Sequence, residues 1–184
     1  HVAGVSLNIF PLTQFQTIKN VFPEMKKIGV LYDPKHNSKW FITAKFLAHS
    51  QKIELIPLKV SDRSQIPEIL GAVDKRKVDA VLFIPDATVI STTIIRHAIK
   101  QLILKRIPAI GYNSFFIEAG SAMSFVIDYS KMGRQLANLA HAYLNEDTHI
   151  PVGPLFNVSL NARVIRLLNL NPNTLLPENV TFEK

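Results

Sequence analysis

Apolar positions along this chain recur with two alternating spacings. From Leu12 to Phe22 they fall at Leu12, Phe15, Ile18, Val21 and Phe22, one face of a helix, with Pro11 in a first-turn position and Pro23 as the stop. Lys27 to Tyr32 is a short apolar run, read as a buried strand. Asn37 or Ser38 is expected to cap the next helix, which carries Trp40, Phe41, Ala44, Phe46 and Leu47 and ends near His49. Ile53 to Val60 alternates, and Pro57, having no N–H for a ladder, points to a strand at the edge of a sheet. Ser61 or Ser64 starts a helix with Ile66, Ile69, Leu70 and Val73. Asp79 to Ile84 reads as a third strand, Thr88 to Leu104 as a long helix, Pro108 to Tyr112 as a fourth strand and Ala122 to Ile127 as a fifth. Tyr129 to Leu144 is an amphipathic helix through Met132, Leu136, Leu139, Ala140 and Tyr143. Leu155 to Leu160 is the last strand and Ala162 to Leu168 a short helix. The tail from Asn169, with Pro172 and Pro177, has little periodicity. Such alternation predicts an α/β fold, a mostly parallel, Rossmann-like sheet with helices on both faces.

Three of these strands end in polar, turn-forming breaks. KIGVLY runs into Asp33-Pro34, AVLFI into Pro85-Asp86, and IPAIGY into Asn113-Ser114. Ligands of open α/β sheets sit beyond the carboxyl ends of the strands. The three ends therefore predict one concave polar surface, half of a small-molecule cleft.

Composition narrows the picture by exclusion. At 184 residues the chain suits one domain, or one and a fraction. With no cysteine it has neither disulfides nor thiolate metal sites. The apolar runs are too short to span a bilayer, and no secretory signal is visible at His1, so any targeting segment is expected to be absent or already removed. The net charge of +7 is spread over Lys26-Lys27, Lys75-Arg76-Lys77, Lys100, Lys105-Arg106, Arg163 and Arg166, mostly near helix ends, and no nucleic-acid partner is expected. The six histidines show no metal-ligand spacing and the seven glycines form no phosphate loop or dinucleotide fingerprint. No metal, cofactor or catalytic residue is expected. Glu146-Asp147 reads as a solvated pair, and the chain reads as a binder rather than an enzyme.

The candidate ligand-binding residues are Tyr32, Asn37, Ser38, Asp86, Tyr112 and Asn113. Tyr32 would stack its ring on a ligand while the loop from Lys35 to Ser38 donates hydrogen bonds. Asp33 reads as a turn former. Asn37 and Ser38 stand open between ligand contact and capping. A carboxylate at Asp86 either binds a ligand ammonium or caps the helix near Thr88, and each oxygen can serve one task. Asn113, an amide, both donates and accepts. Phe115 and Phe116 form an apolar wall or pack in the core, and Asp128 reads as a cap for the helix at Tyr129.

Several segments together resemble a known family. They are Gly4 to Ser6 (GVS), KKIGVLYDP from Lys26, VDAVLFIPDATVIS from Val78, IPAIGYN from Ile107, DYSKMGRQLANLAHAYL from Asp128 and NVSLNARVIRLLNL from Asn157. In that order they are similar to the substrate-binding proteins of a bacterial ABC importer family with the type I periplasmic-binding fold, some of which bind aromatic amino acids. The resemblance implies a second lobe lacking most of the first. Residues 1–120 would form the α/β core, entered through a crossover at His1 to Ser6. Residues 121–150 would be a strand and helix returning to the first lobe, and 151–184 the strand, helix and tail that rejoin the second. It also implies a small polar solute, an amino acid among the options, in an interlobe cleft, with an ABC permease as partner. The place is periplasmic or extracytoplasmic, with a membrane anchor in the full-length protein as an option. A helix at 129–144 without its partner lobe would dock on this sheet, stay mobile or pair with a second copy as a homodimer. Relatives often carry an aspartate where Asn113 stands, and a loop one residue longer around His36. A sensory module of the same fold, or an enzyme on a flavodoxin-like sheet, is the alternative.

Overall fold

The computed structural model describes residues 5–74, 77–144 and 153–183. Residues 1–4 of the expected crossover, Lys75-Arg76, and residues 145–152 with Glu146-Asp147 and His149 lie outside the described residues, as does the Tyr143 side chain. The chain order is α1 (Pro11–Val21), β1 (Lys27–Tyr32), α2 (Pro34–Ser50), β2 (Glu54–Lys59), a short 3-10 turn (Arg63–Gln65), α3 (Ile66–Ala72), β3 (Ala80–Phe83), α4 (Thr92–Leu104), β4 (Ala109–Gly111), α5 (Ser114–Ala119), β5 (Met123–Ile127), α6 (Tyr129–Leu144), β6 (Phe156–Asn161), α7 (Ala162–Leu168) and β7 (Val180–Glu183). Seven strands form one sheet in the order β2-β1-β3-β4-β5-β6-β7, with β5 and β6 antiparallel and every other pair parallel. The α/β reading with a mostly parallel sheet holds, and β2 with its Pro57 is an edge strand.

Alternation along each strand sorts the core into two layers. Ile28, Val30 and Tyr32 of β1 face α1 and α2, joined by Leu82, Ile110, Phe125 and Val158. Leu31, Val81 and Phe83 face the other way, onto Ile66 and Leu70 of α3, Ile95, Ile99 and Leu102 of α4, and Phe116 of α5. Helices therefore cover both faces. Strand order reverses direction between β1 and β3, and this switch opens a crevice at their carboxyl ends.

Helix starts differ from the sequence reading where an Asp side chain accepts from the backbone N–H two residues on. α2 begins at Pro34, not at Asn37 or Ser38, because Asp33 is the cap: its Oδ1 accepts from Lys35 N–H at 2.8 Å. Asn37 sits inside the helix with non-helical backbone angles, a kink in its first turn. Asp62, rather than Ser61 or Ser64, starts the 3-10 turn through a reciprocal capping box with Gln65. α4 begins at Thr92 instead of Thr88, since residues 86–90 are wound into a turn around Asp86. β7 was not legible in the tail, as its residues lie at an exposed edge and carry no alternation.

In the segment 121–150, expected to return to a first lobe, the strand pairs within this sheet. β5 does not leave the sheet; it is an interior strand between β4 and β6, in register Ile110↔Met123 and Met123↔Leu160. Its first three residues are buried and apolar or small, which an interior position requires. α6 follows, tethered where Leu155 N–H donates to Gln135 Oε1 at 3.0 Å. From Tyr129 to His141 none of its side chains is buried, and Leu136 is 44% exposed.

Candidate functional site

A cleft of about 350 Å³ opens over the carboxyl ends of β1, β3 and β4. Asn37 and Trp40 of α2, Ile84-Pro85 after β3, and Tyr112-Asn113 after β4 form one side. Asn8, Gln14 of α1 and Tyr129 of α6 complete it. Among the described residues, no side chain lining it carries a charge. Its polar groups are amides and phenols, and its apolar surface includes three aromatic rings.

Beneath the cleft lies a buried carboxylate pair. Asp86 is 1% exposed and Asp33 4%. Asp86 Oδ2 accepts from Asp33 N–H at 2.8 Å and from Asn37 Nδ2 at 2.7 Å. Its Oδ1 accepts from the N–H groups of Thr88 and Val89 at 2.9 and 3.2 Å. Thr88 Oγ1 in turn donates to Asp33 Oδ2 at 2.7 Å. The loops after β1 and β3 are thus cross-tied by residues 49 to 55 apart in the chain.

This network shows where the expected residues lie. Asp86 does not cap α4, whose N-cap Ser91 makes no side-chain cap bond; it holds the turn at residues 86–90, and with both oxygens used and the group buried it does not present its carboxylate to the cleft directly. Instead it fixes Asn37. With Nδ2 held on Asp86, Asn37 leaves Oδ1 as its acceptor at the cleft. Tyr112 and Asn113 line the cleft as expected, and Asn113, at the start of α5, spends no side-chain bond on capping it. Its backbone carbonyl accepts from Ser124 Oγ at 2.6 Å, which pins the loop to β5. Tyr112 packs on Phe116 with ring centroids 4.8 Å apart.

Tyr32 and Ser38 do not reach the cleft. Tyr32 is 3% exposed and its ring stacks on Phe41 at 4.6 Å and 10°. The parity of β1 turns it onto the α2 side of the sheet, where stacking gains about 1 kcal/mol beyond burial. Ser38 Oγ donates to the Pro34 carbonyl within its own helix. Phe116 is core, and Phe115 packs edge-on against it under the Arg96 guanidinium. Asp128 caps α6 as expected, accepting from Lys131 N–H at 2.9 Å.

Four cleft residues escaped the sequence reading: Asn8, Gln14, Trp40 and Tyr129. Gln14 carried a usable signal. It is a polar residue buried among Phe15 and Ile18, and its Oε1 is buried with no hydrogen-bond partner.

Electrostatics follow from these contacts. The Asp33 carboxyl lies below its ordinary range, chiefly through the Thr88 hydroxyl and then the Lys35 N–H, with His36 and Lys35 adding positive charge. Asp128 is lowered first by the Lys131 N–H. Burial, and then the Asp86 charge, raises the Tyr112 phenol. A carboxyl lowered in the folded state stabilises the fold above its unfolded value of about 3.9, and that contribution fades as pH falls through the folded value. Thermal unfolding between about pH 6 and pH 2 is therefore expected to show a Tm gap between the native chain and Asp33→Asn that narrows toward acid. A gap that stays constant would mean that the Asp33 charge contributes nothing.

The sequence profile described as ABC transporter substrate binding protein matches residues 1–165. Among solved structures, the ABC domain in complex with L-Trp from Streptococcus pneumonia is 23% identical with a TM-score of 0.70, over 96% of this chain and 60% of that one. A conserved domain protein from Vibrio cholerae is 22% identical with a TM-score of 0.73, over 100% and 63%. A substrate-binding protein with adhesive properties from Clostridium difficile, in its ligand-free open form, is 21% identical with a TM-score of 0.75, over 100% and 62%. The chain thus spans about three fifths of the length of each. At these identities the likeness is one of fold. No curated protein matches the chain.

Proposed function

The chain belongs to the ABC transporter substrate-binding protein family, and on that premise we propose that it forms one wall of a solute cleft in the binding component of a bacterial ABC importer. The observation that carries this reading is the convergence of Asn37, Tyr112 and Asn113 over the strand ends, with Asn37 held by a buried carboxylate. An amide oxygen anchored in this way suits a donor such as an ammonium or hydroxyl. Gln14 brings a second amide whose oxygen has no protein partner. Trp40, Tyr112 and Tyr129 offer ring faces to an apolar or aromatic substituent. A small polar solute, an amino acid with an aromatic side chain in particular, fits these groups. The Streptococcus relative, described in complex with L-Trp, supports the same class.

The opposite wall belongs to another lobe. α6 supports this, because a helix with an apolar stripe needs cover and none of its described side chains is buried. Solute bound between two lobes favours their closed arrangement, which a permease then recognises. Such a component works outside the cytoplasm. No described helix is long and apolar enough to cross a membrane, so retention at the membrane would need a separate anchor.

The single tryptophan of the chain, Trp40, lies in the cleft and reports on it. Titration with L-phenylalanine is expected to shift Trp40 emission with a weak dissociation constant, about millimolar, because one wall supplies half the contacts. Asn37→Ala is expected to abolish the shift. Submicromolar binding by this chain alone would contradict the half-cleft, and unchanged emission with every amino acid tried would contradict the site.

A further inference from the structure

A second concavity is larger than the solute cleft. A groove of about 730 Å³ lies between α2 and the edge strand β2. Its floor is apolar: Phe41, stacked on Tyr32, and Pro57. Its lip is formed by Ile42 and Phe46, one helical turn apart, which are 70% and 80% exposed. Neither packs on anything that would explain a large apolar side chain there. Lys45, Lys59 and His49 ring the groove, with no carboxylate among its lining residues. Among the described residues neither lysine is paired with an acid.

We propose that this groove is a docking surface for an acidic protein segment that seats an apolar side chain between Ile42, Phe46 and Pro57. An apolar patch rimmed by one sign of charge marks an interaction site. The apolar floor supplies burial, and the lysines select carboxylates flanking the anchor. A second copy of this chain is disfavoured, since a symmetric pair would press two cationic rims together in a chain of net charge +7. A flat lipid surface would meet the lip but leave the floor at Phe41 uncovered. Addition of a strand to β2 is weakened by Pro57, which removes one N–H from the ladder, so recognition rests on side chains. This inference does not depend on the solute cleft, which shares no lining residue with the groove.

The test uses the 184-residue chain and a short fluorescent peptide of Asp and Glu around one Leu and one Phe, followed by anisotropy. Binding is expected, weakened about tenfold by Phe46→Ser and to a similar extent by Lys45→Glu, and weakened by added salt. Both side chains are exposed, so far-UV circular dichroism of the variants stays unchanged. Absence of binding overturns the proposal, as does equal binding of the Asn/Gln version of the peptide or indifference to Phe46→Ser. Adsorption to phosphatidylglycerol vesicles without peptide binding would assign the patch to lipid and overturn it. A sedimenting dimer that Phe46→Ser dissolves would assign it to a second copy and overturn it as well.

Discussion

Asp86→Ala is expected to lower unfolding stability by about 3 kcal/mol and to remove solute binding as well. The carboxylate accepts four hydrogen bonds, from Asp33 N–H, Asn37 Nδ2, Thr88 N–H and Val89 N–H. Truncation leaves the Asp33 and Thr88 N–H groups without an acceptor in a place that is 1% exposed, while Val89 N–H keeps the Asp86 carbonyl at 3.1 Å and Asn37 Nδ2 the Pro85 carbonyl at 3.5 Å. Each buried unpaired donor costs about 1–3 kcal/mol, and water entering the space left behind recovers part of the total. Set against a typical domain stability of about 5–15 kcal/mol, the loss is large. Asp86→Asn is expected to fall between, because one oxygen still accepts while the new amide nitrogen faces N–H donors. The effect on binding has a separate origin: without Asp86 the Asn37 amide keeps only its 3.5 Å contact to the Pro85 carbonyl, and its oxygen is less firmly directed. Urea unfolding measures the first effect and Trp40 emission under native conditions the second. A stability loss below about 1 kcal/mol would show that the two loops are held by something other than this carboxylate.

Gly111→Ala is expected to cost about 3 kcal/mol or more, by a different route. Gly111 lies in β4 directly beneath α5. A Cβ built there overlaps the Cβ and Cγ of Phe116 and comes within 2.7 Å of its Cδ1. Because the overlap reaches the root of the Phe116 side chain, no rotamer change relieves it; the helix must move. Phe116 is 1% exposed and holds Phe83 and Tyr112 at ring distances of 5.4 and 4.8 Å. Displacing α5 therefore shifts Tyr112 and Asn113, so the variant is expected to bind solute more weakly even where it remains folded. Phe116→Ala should not rescue it, since the Cβ stays. A stability loss below about 0.5 kcal/mol would mean that β4 and α5 are less tightly packed than the structure shows.

Much of the architecture was legible because periodicity is a local property. Val30 and Leu31 differ in face simply by position, and α6 was readable from end to end because its stripe repeats every three to four residues. The starts of α2 and α4 were not, because a cap is decided by which oxygen reaches which N–H. Asp33 takes the cap of α2 in place of Asn37, and α4 starts only at Thr92 because residues 86–90 are wound into a turn around Asp86. In the cleft, Asn37, Tyr112 and Asn113 could be named because the ends of parallel strands converge by rule. Tyr32, the last residue of β1, and Ser38, in the first turns of α2, flank that region yet face away, Tyr32 by the parity of its strand and Ser38 by bonding back into its own helix.

The sequence alone determined the alternation of strands and helices, the fold class and the strand ends that gather polar groups, since each is written in the spacing of neighbouring side chains. Only the tertiary structure decided that Asp86 holds Asn37, that Gln14, Trp40 and Tyr129 join the cleft, and that Ile42 and Phe46 stand beside the lysines of the groove between α2 and β2. Those relations join residues far apart in the chain, and only packing determines which atoms come within a few ångströms of each other.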